Sequence, residues 1–366
     1  MSNNPNNRPR ARAKGQAKPR RWRSGLVVVA LAALAAAGCE SSAKSRVTLY
    51  CAQDKEFAEE TLAKFTERTG LKVLPKFDTE ADKSVSLYLE LVREKDRPRC
   101  DVFWNNEILS TIRLQKQGML EPYDSPAAKP YPEWAKAKDR TWHAFAARAR
   151  VLIVNTDLVP EVERPKGLRE LTQPRWKGRV VMARPQFGTS ATMAACLFQA
   201  LGQEQARAFY LGLKENGVQI APGNKQVAEW VAAGRSPGGQ KAAVGITDTD
   251  DALDQVKAGK RVAMIFPDRG KDDIGTLFIP NTVAILKGDP NPDGARKLVD
   301  YLLSPEVEAR LAESESAQIP LNPEVKARPP KEIETPATVK AMAVDWEKAA
   351  ALWDEVQDFL QEEFAR

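Results

Sequence analysis

Three carboxylates fall within four residues, at Asp248, Asp250 and Asp251, between a predicted strand and a predicted helix. Carboxylate oxygens bind hard cations and also pair with organic ammonium groups. A purely structural interpretation is equally open. Asp248 or Thr249 would cap the helix, while Asp250 and Asp251 would favour the positive end of its dipole. Further acids expected at the same acidic mouth are Asp54, Glu80 and Glu107.

A second segment opens a predicted helix with small and hydroxyl-bearing residues: Gly188, Thr189, Ser190 and Thr192. Such a start leaves backbone amides clear to hold an anion, and Asn224, at another predicted helix start, is a second candidate contact. Ordinary capping by Thr189 or Ser190 explains the same residues without a ligand. The sequence leaves both interpretations open.

Arg148 and Arg150 are candidates for the counter-charge of such an anion. They would otherwise pair with the acidic loops or lie solvated on a strand. Trp104 ends an apolar strand beside the acidic loop at 105–107. An indole face near carboxylates attracts amines by cation–π interaction, whereas core packing is the plainer interpretation.

Catalysis finds little support in these residues. His143 is the sole imidazole, which excludes a zinc site with two or more histidine ligands, and beside Trp142 it is expected to be packed or solvent-facing. The segment 188–190 lacks the glycine pattern of a nucleophile elbow, and no nucleotide-binding Gly-x-x-x-x-Gly-Lys-Ser/Thr loop occurs. A carboxylate-dependent hydrolase is the remaining catalytic alternative, yet nothing places Asp250 and Asp251 on opposite sides of a substrate. We predict a binding protein rather than an enzyme.

Apolar runs predict three strands in the first part of the domain, at 47–51, 72–77 and 101–104. The helices between them would bury Phe57, Leu62 and Phe65 before Gly70, and then Val85, Leu89 and Val92. Alternation of strands and helices implies right-handed crossovers and a parallel sheet, whose ligands bind beyond the carboxyl ends of the strands. The loops expected to meet a ligand are 52–55, 78–83 and 105–107.

The pattern recurs in the middle of the chain, which predicts a second lobe with strands at 151–155, 179–182, 243–247 and 262–266. A strand at 283–286, a helix at 292–302 and another from Pro305 would return to the first lobe. Repeated crossings between lobes create a hinge and a cleft. A proline-rich stretch after Asn322 leads to a terminal amphipathic helix, expected to pack on the body through Leu352, Val356, Phe359 and Leu360.

The N-terminus has the pattern of a bacterial export signal. Residues 1–24 carry eight Lys or Arg and no acid, and an apolar run at 25–37 follows that is short for a membrane span. The letters AAGC at 36–39 resemble a lipobox, so Cys39 is expected to be lipidated. Ordinary cleavage near Ala37, an uncleaved anchor and twin-arginine export through Arg20 and Arg21 stay open.

Removal of residues 1–38 leaves 47 basic against 49 acidic residues, a net charge of about −2. Nucleic-acid binding by the mature domain therefore loses its electrostatic basis. The cysteines that follow Cys39 are Cys51, Cys100 and Cys196, an odd number in a compartment that permits disulfides. Cys51 and Cys100 are expected at opposite ends of neighbouring strands, too far apart to bridge, so we expect all three to be reduced.

Seven segments together resemble the ferric-ion and related substrate-binding proteins of ABC importers. They are VTLYCAQD at 47–54, TGLKV at 69–73, DVFWNNE at 101–107, ARARV at 147–151, WKG at 176–178, GTS at 188–190 and AVGIT at 243–247. The resemblance extends from about residue 47 to residue 320. It implies a two-lobed α/β periplasmic-binding-protein fold of type 2, with mixed sheets, helices on both faces and a hinge.

The resemblance also implies a ligand set. Where iron-binding members carry a histidine or tyrosine, an acid and two adjacent tyrosines, this chain has Asp54, then Asn106 or Glu107, then the pair Asp250 and Asp251. The missing tyrosines keep iron a candidate and not a deduction, because carboxylates retain the charge but discriminate less for ferric ion. The family implies an anion contact, to phosphate or carbonate, at Gly188 to Thr192 and at Asn224.

These observations predict the organisation of the chain: signal 1–38, tether 39–45, first lobe 46–148, second lobe 149–267, return 268–320 and helical extension 321–366. We expect an exported, lipid-anchored, monomeric solute-binding component that closes by hinge motion near Arg150 and Pro280 and serves an importer's permease and ATPase. Ferric iron with a co-bound anion is the favoured ligand. The alternatives are a small organic solute, namely an amine such as thiamine or a polyamine, or an organic phosphonate or phosphate.

Overall fold

The computed structural model describes residues 45–78 and 85–364. The predicted signal, most of the tether, Cys39 and Glu80 lie outside the described residues. The strands are β1 Arg46–Cys51, β2 Lys72–Phe77, β3 Val102–Asn105, β4 Leu120–Glu121, β5 Trp142–Asn155, β6 Val180–Ala183, β7 Gln219–Ala221, β8 Val244–Asp248, β9 Val262–Ile265 and β10 Phe278–Leu286.

The helices alternate with the strands over most of the chain. They are α1 Lys55–Thr69, α2 Val85–Arg93, α3 Leu109–Lys116, α4 Gly188–Leu201, α5 Gln203–Glu215, α6 Asn224–Ala233, α7 Thr249–Lys257, α8 Pro292–Leu302, α9 Pro305–Glu313, α10 Trp346–Ala351 and α11 Trp353–Phe364. Short 3-10 helices lie at Pro126–Ala128, Glu133–Ala135, Glu161–Glu163, Leu168–Thr172 and Pro174–Trp176.

The strands form one continuous mixed sheet in the order β2-β1-β3-β10-β5-β8-β6-β7, with β4 on β10 and β9 on β5. β1 pairs in parallel with β2 and β3, and β6 in parallel with β7 and β8. β5 connects the two groups because its first part pairs with β10, up to Ala149, and its second part pairs with β8 from Arg150 onward. The sheet edge that holds the carboxyl ends of these strands is therefore assembled from distant parts of the chain.

Several predicted elements are confirmed. β2 and α8 have the predicted bounds, and α1 ends at Gly70, which adopts a left-handed conformation with φ 71° and donates its N–H to the Thr66 carbonyl. The terminal helix α11 packs on the body as expected: the ring of Phe359 lies 5.7 Å from that of Phe198. Cys51, Cys100 and Cys196 are buried and belong to no disulfide, as predicted. Among the described helices, none combines the length and apolarity that a membrane crossing requires.

Two predictions about elements were wrong. The buried face of α2 consists of Leu87, Tyr88 and Leu91, whereas Leu89 is 43% exposed. The apolar spacing of this short helix fits two faces, and packing against the sheet selects one of them. The strand predicted at 151–155 begins earlier, at Trp142, and every residue of β5 is buried, although the Ala-Arg alternation in 147–150 indicates one solvated face.

Asp268, in the loop between β9 and β10, gives the fold a pH dependence. Burial raises the pKa of its carboxyl group to about 6, and one oxygen accepts the Leu168 N–H at 3.3 Å. The folded protein thus holds a proton that the unfolded chain has released, so the free energy of unfolding falls as pH rises from about 4 to 6, by up to ~3 kcal/mol. Asp268→Asn is expected to remove this fall.

The measurement is urea unfolding at pH 4.5, near the lower end of this pH range, and at pH 7, above it. Asp272→Asn, an exposed residue of the same loop, is the matched control. Identical pH dependence in the unsubstituted protein and in Asp268→Asn would contradict the prediction.

Candidate functional site

A cleft lies at the carboxyl ends of β1, β3, β6 and β8, where open α/β sheets place their ligands. Its cavity has a volume of about 30 Å³. Among the described residues its lining consists of Asp54, Asn106, Arg148, Ala183, Arg184, Phe187, Gly188, Thr189, Ser190, Pro222, Gly223, Asn224, Asp248, Asp250 and Asp251. The space is sufficient for a single ion or one or two water molecules.

The acidic cluster predicted from the sequence is assembled at this cleft. Asp248 is the last residue of β8, and Asp250 and Asp251 lie in the first turn of α7. One carboxylate oxygen from each of the three residues lies within 4.8 Å of the others, an arrangement that can hold a cation. Asp248 and Asp250 are buried and Asp251 is half-buried, so the charges are only partly screened by solvent.

Helix capping does not account for Asp248. It is the N-cap residue of α7 by position, but its side chain makes no hydrogen bond to the helix amides. Asp250 accepts the neighbouring Asp251 N–H at 3.2 Å, and both residues can still favour the helix dipole. The side chain of Asp248 is therefore available for another partner.

That partner is Arg150, which faces Asp248 directly in the β5–β8 register. Both side chains are buried, and the guanidinium Nη1 lies 2.7 Å from Oδ1 of the aspartate. The same guanidinium donates to the Thr189 hydroxyl at 3.1 Å, to Asn224 Oδ1 at 3.0 Å and to the Ser190 hydroxyl at 3.3 Å. The pairing replaces the solvated-strand interpretation with a buried ion pair at the start of α4.

Arg148 occupies the middle of the acidic cluster. Its Nη1 lies 3.4 Å from Asp250 Oδ2, and both side chains are almost fully buried. Burial on its own would lower the pKa of Arg148, but the negative charges, first of Asp250 and then of Asp248, Asp54 and Asp251, raise that pKa above its ordinary value. The guanidinium therefore stays charged and partly neutralises the cluster.

Arg148 also connects the cluster to the β1 side of the cleft. It donates to Gln53 Oε1 at 2.6 Å, and Gln318 donates to the same oxygen at 3.1 Å. Gln318 in turn accepts from Asn281 at 2.7 Å, at the irregularity between Pro280 and Asn281 in β10. A buried polar network thus joins residues from four separate parts of the chain.

On the β1 side, Asp54 and Asn106 line the cleft as predicted, but Glu107 does not. The Glu107 carboxylate is fully buried and accepts the backbone N–H groups of Leu109 at 2.7 Å and Ser110 at 3.0 Å, which caps α3. The Thr192 hydroxyl donates to the same carboxylate at 2.8 Å. The predicted ligand roles of Glu107 and Thr192 are corrected accordingly, because each satisfies the other away from the cavity.

Trp104 is also absent from the cleft lining. Its side chain is fully buried, and its ring lies 5.5 Å from that of Phe145 in a tilted arrangement. Core packing, the plainer interpretation from the sequence, is therefore the correct one, and the Trp104 ring does not reach the cleft lining. His143 lies in the core as well, where burial lowers its pKa and Nε2 donates to the Tyr123 carbonyl at 2.8 Å.

Three polar residues at or behind the cleft were not predicted: Gln53, Arg184 and Gln318. Gln53 lies directly before Asp54 in the loop at 52–55, which the sequence predicts to meet a ligand. Its neutral amide gave no separate signal next to the charged Asp54. Arg184 is exposed at the rim and follows β6, so the rule that ligands bind at the carboxyl ends of strands was a usable signal. Gln318 had no such signal because it reaches the site from beyond α9.

Comparisons with known proteins agree with this architecture. A family model described as bacterial extracellular solute-binding protein matches residues 110–351. The major ferric iron-binding protein of Neisseria meningitidis serogroup A is 29% identical over 300 residues, covering 80% of this chain and 85% of its own length.

Solved structures share the fold. Iron-bound HitA from Pseudomonas aeruginosa has a TM-score of 0.76 at 22% identity, over 86% of this chain and 99% of its own. The periplasmic binding protein AfuA from Actinobacillus pleuropneumoniae, with fructose-6-phosphate bound, has a TM-score of 0.75 at 22% identity, over 87% and 98%. The predicted mixed α/β fold of periplasmic binding proteins is confirmed, and structures of that fold contain ligands of different chemical classes.

Proposed function

The chain belongs to the bacterial extracellular solute-binding protein family, and from this premise we propose that it captures ferric ion for an ABC importer. Asp250, Asp251 and Asp54 are the cation ligands of this proposal, with Asp248 beside Asp250 and Asp251, and with Asn106 on the β1 side of the cleft like Asp54. The iron-binding names of its relatives support the choice of metal. The protein acts by binding and release, and its partners are a membrane permease and an ATPase.

One observation carries the choice of a cation: three carboxylates converge within 4.8 Å on a cavity of about 30 Å³. The four acids of the site outnumber the three arginines Arg148, Arg150 and Arg184, so the net charge is negative. The electrostatic attraction to carboxylate oxygens grows with the charge of the cation and with burial, so a hard trivalent cation would bind more strongly here than a monovalent or divalent one.

A small organic solute is less well supported. A hexose phosphate or a polyamine requires far more space than about 30 Å³, which accommodates one or two water-sized groups. The aromatic contact expected for an amine is also lost, since the Trp104 side chain is buried in the core. Arg184 is exposed on the rim and would favour an anionic solute in a more open cleft.

A ligand panel tests the assignment. Thermal unfolding of the purified protein is followed with ferric ion, divalent cations, thiamine, spermidine, phosphate and a phosphonate, because a ligand of the native state alone raises the unfolding temperature. We expect ferric ion to give the largest shift. A shift with an organic solute but none with any cation would overturn the cation assignment, and turnover of a glycoside would overturn the binding role.

The colour of the ferric complex gives a second prediction. The cleft lining that the structure describes contains carboxylates and no tyrosine, so the complex is expected to show only a weak visible charge-transfer band. The matched control is the double substitution Asp250→Tyr and Asp251→Tyr, which introduces phenolate ligands and is expected to give an intense band. An intense band in the unsubstituted protein, measured by absorption spectroscopy, would reveal a ligand set other than the one proposed.

We place the hinge where β5 and β10 cross between the lobes, near Arg150 and Pro280. The first lobe is proposed to comprise 46–148 and 268–320, the second 149–267, and the extension 321–366. Glu308, fully buried, supports this region by accepting the backbone N–H of Ala146 at 2.6 Å and of Asn322 at 2.8 Å. The protein is proposed to act as a monomer outside the cytoplasm, anchored through lipid on Cys39.

A further inference from the structure

The start of α4 has the features of an anion site. Gly188 begins the helix with φ 52°, and Thr189 and Ser190 present hydroxyl groups toward the cleft. The first backbone N–H groups of a helix and a nearby guanidinium attract negative charge, and Arg150 lies within hydrogen-bond distance of both hydroxyls. Asn224, at the start of α6, completes the set of donors.

A carboxylate of the protein itself already occupies these donors. Asp248 Oδ1 accepts from Arg150 at 2.7 Å, and Oδ2 accepts from the Thr189 hydroxyl at 2.6 Å and from Asn224 Nδ2 at 3.0 Å. The three donors come from β5, α4 and α6. Each of them is a residue that the sequence offered as a candidate contact for a bound anion.

The same carboxylate faces the cation position. One of its oxygens belongs to the group of ligand atoms, shared with Asp250 and Asp251, that lie within 4.8 Å of one another. A carboxylate has about four lone-pair positions, so it can accept hydrogen bonds from the donors at α4 and still contact a metal ion. From this position a carboxylate can contact both the start of α4 and a cation held by Asp250 and Asp251.

We propose that Asp248 is a built-in anion: its carboxylate fills the anion position at the start of α4, so that cation capture needs no co-bound anion. This inference rests on the proposed capture of a cation at Asp250 and Asp251. A free anion entering the site would meet the negative charge of Asp248 and would find Arg150, Thr189 and Asn224 already donating to it. The affinity for the cation is therefore independent of the anions in solution.

Two titrations test this role. Isothermal titration calorimetry with sulfate and no metal is carried out on the unsubstituted protein, on Asp248→Ala, which vacates the position, and on Asp248→Asn, which keeps the shape without the charge. We expect no sulfate binding by the unsubstituted protein, measurable binding by Asp248→Ala and weaker binding by Asp248→Asn.

The second titration measures the ferric affinity in potassium sulfate and in potassium chloride at equal ionic strength. The ratio of the two affinities is expected to stay within threefold for the unsubstituted protein and to exceed tenfold, in favour of sulfate, for Asp248→Ala. Near-ultraviolet circular dichroism verifies that each variant is folded.

The outcomes separate the two proposals. Sulfate binding by the unsubstituted protein, or a more than tenfold gain of its ferric affinity in sulfate, overturns the role of Asp248, and this holds even if Asp248→Ala does not fold. A folded Asp248→Ala that ignores sulfate overturns it as well. A third outcome is that neither the unsubstituted protein nor any variant binds ferric ion, while Asp248→Ala alone binds sulfate. The proposed cation function is then wrong, but the conclusion that Asp248 fills an anion position is retained.

Discussion

Replacement of Asp250 and Asp251 together by asparagine is expected to lower the affinity for ferric ion by about a thousandfold or more. Unit charges about 4 Å apart at a protein surface interact by about 4 kcal/mol, and each factor of ten in affinity corresponds to about 1.4 kcal/mol. The attraction of two carboxylates to a trivalent ion therefore exceeds the roughly 4 kcal/mol that corresponds to a thousandfold change in affinity. Asparagine preserves the size of each side chain and leaves a neutral oxygen in place of the charge.

The measurement is a competition titration against a chelator of known ferric affinity. Asp293→Asn, an exposed acid in the first turn of α8, removes one charge far from the cleft and is the matched control. Asp250 also pairs with Arg148, so the thermal unfolding of the double variant must be recorded in parallel. A folded double variant that binds ferric ion within threefold of the unsubstituted protein would refute the assigned ligands.

Arg148→Met is expected to change stability and affinity in opposite directions. The substitution removes the buried guanidinium that pairs with Asp250 and donates to Gln53, and loss of one member of a buried ion pair costs about 3 to 5 kcal/mol. It also removes a positive charge from the middle of the acidic cluster. The free energy of unfolding of the ligand-free protein should therefore fall, while the ferric affinity should rise at least about tenfold.

Urea unfolding without ligand and ferric titration measure the two effects. Arg113→Met is the control, because this arginine stacks on the rings of Tyr88 and Trp353 at 4.3 and 4.8 Å, outside the cleft lining. It is expected to reduce stability without a gain in ferric affinity. A drop of ferric affinity in folded Arg148→Met would mean that Arg148 contributes to holding the ligand, and would contradict its role as a competing charge.

Most of the chain's framework could be predicted because it is encoded locally. Apolar runs and helix stops gave β2 and α8 to the residue, and the carboxyl-end rule placed Asp54 and Asn106 at the cleft before any fold was known. Composition excluded a zinc site with two or more histidine ligands, since the chain has a single histidine. The bounds of these elements depend on residues that are neighbours in the sequence, so their physical causes act within a single helix or strand.

The chemistry of the cleft could be predicted only as a set of candidates. Glu107 and Asp54 look alike in the sequence, yet Glu107 caps α3 and Asp54 lines the cavity. The contrast arises because a carboxylate turns toward the nearest unsatisfied donors, and those donors are supplied by the tertiary structure. The local pattern around Trp104 likewise could not reveal that Phe145 would cover its ring.

The sequence by itself determined that acids, hydroxyls and arginines would meet at the carboxyl edge of a mixed sheet. Only the tertiary structure decided which of them neutralise one another. Arg150 faces Asp248 because β5 and β8 are antiparallel in one particular register, and a shift of a single residue would turn both side chains to other faces. Pairing between strands almost a hundred residues apart is thus what converts Asp248 from a presumed helix cap into the partner of Arg150, Thr189 and Asn224.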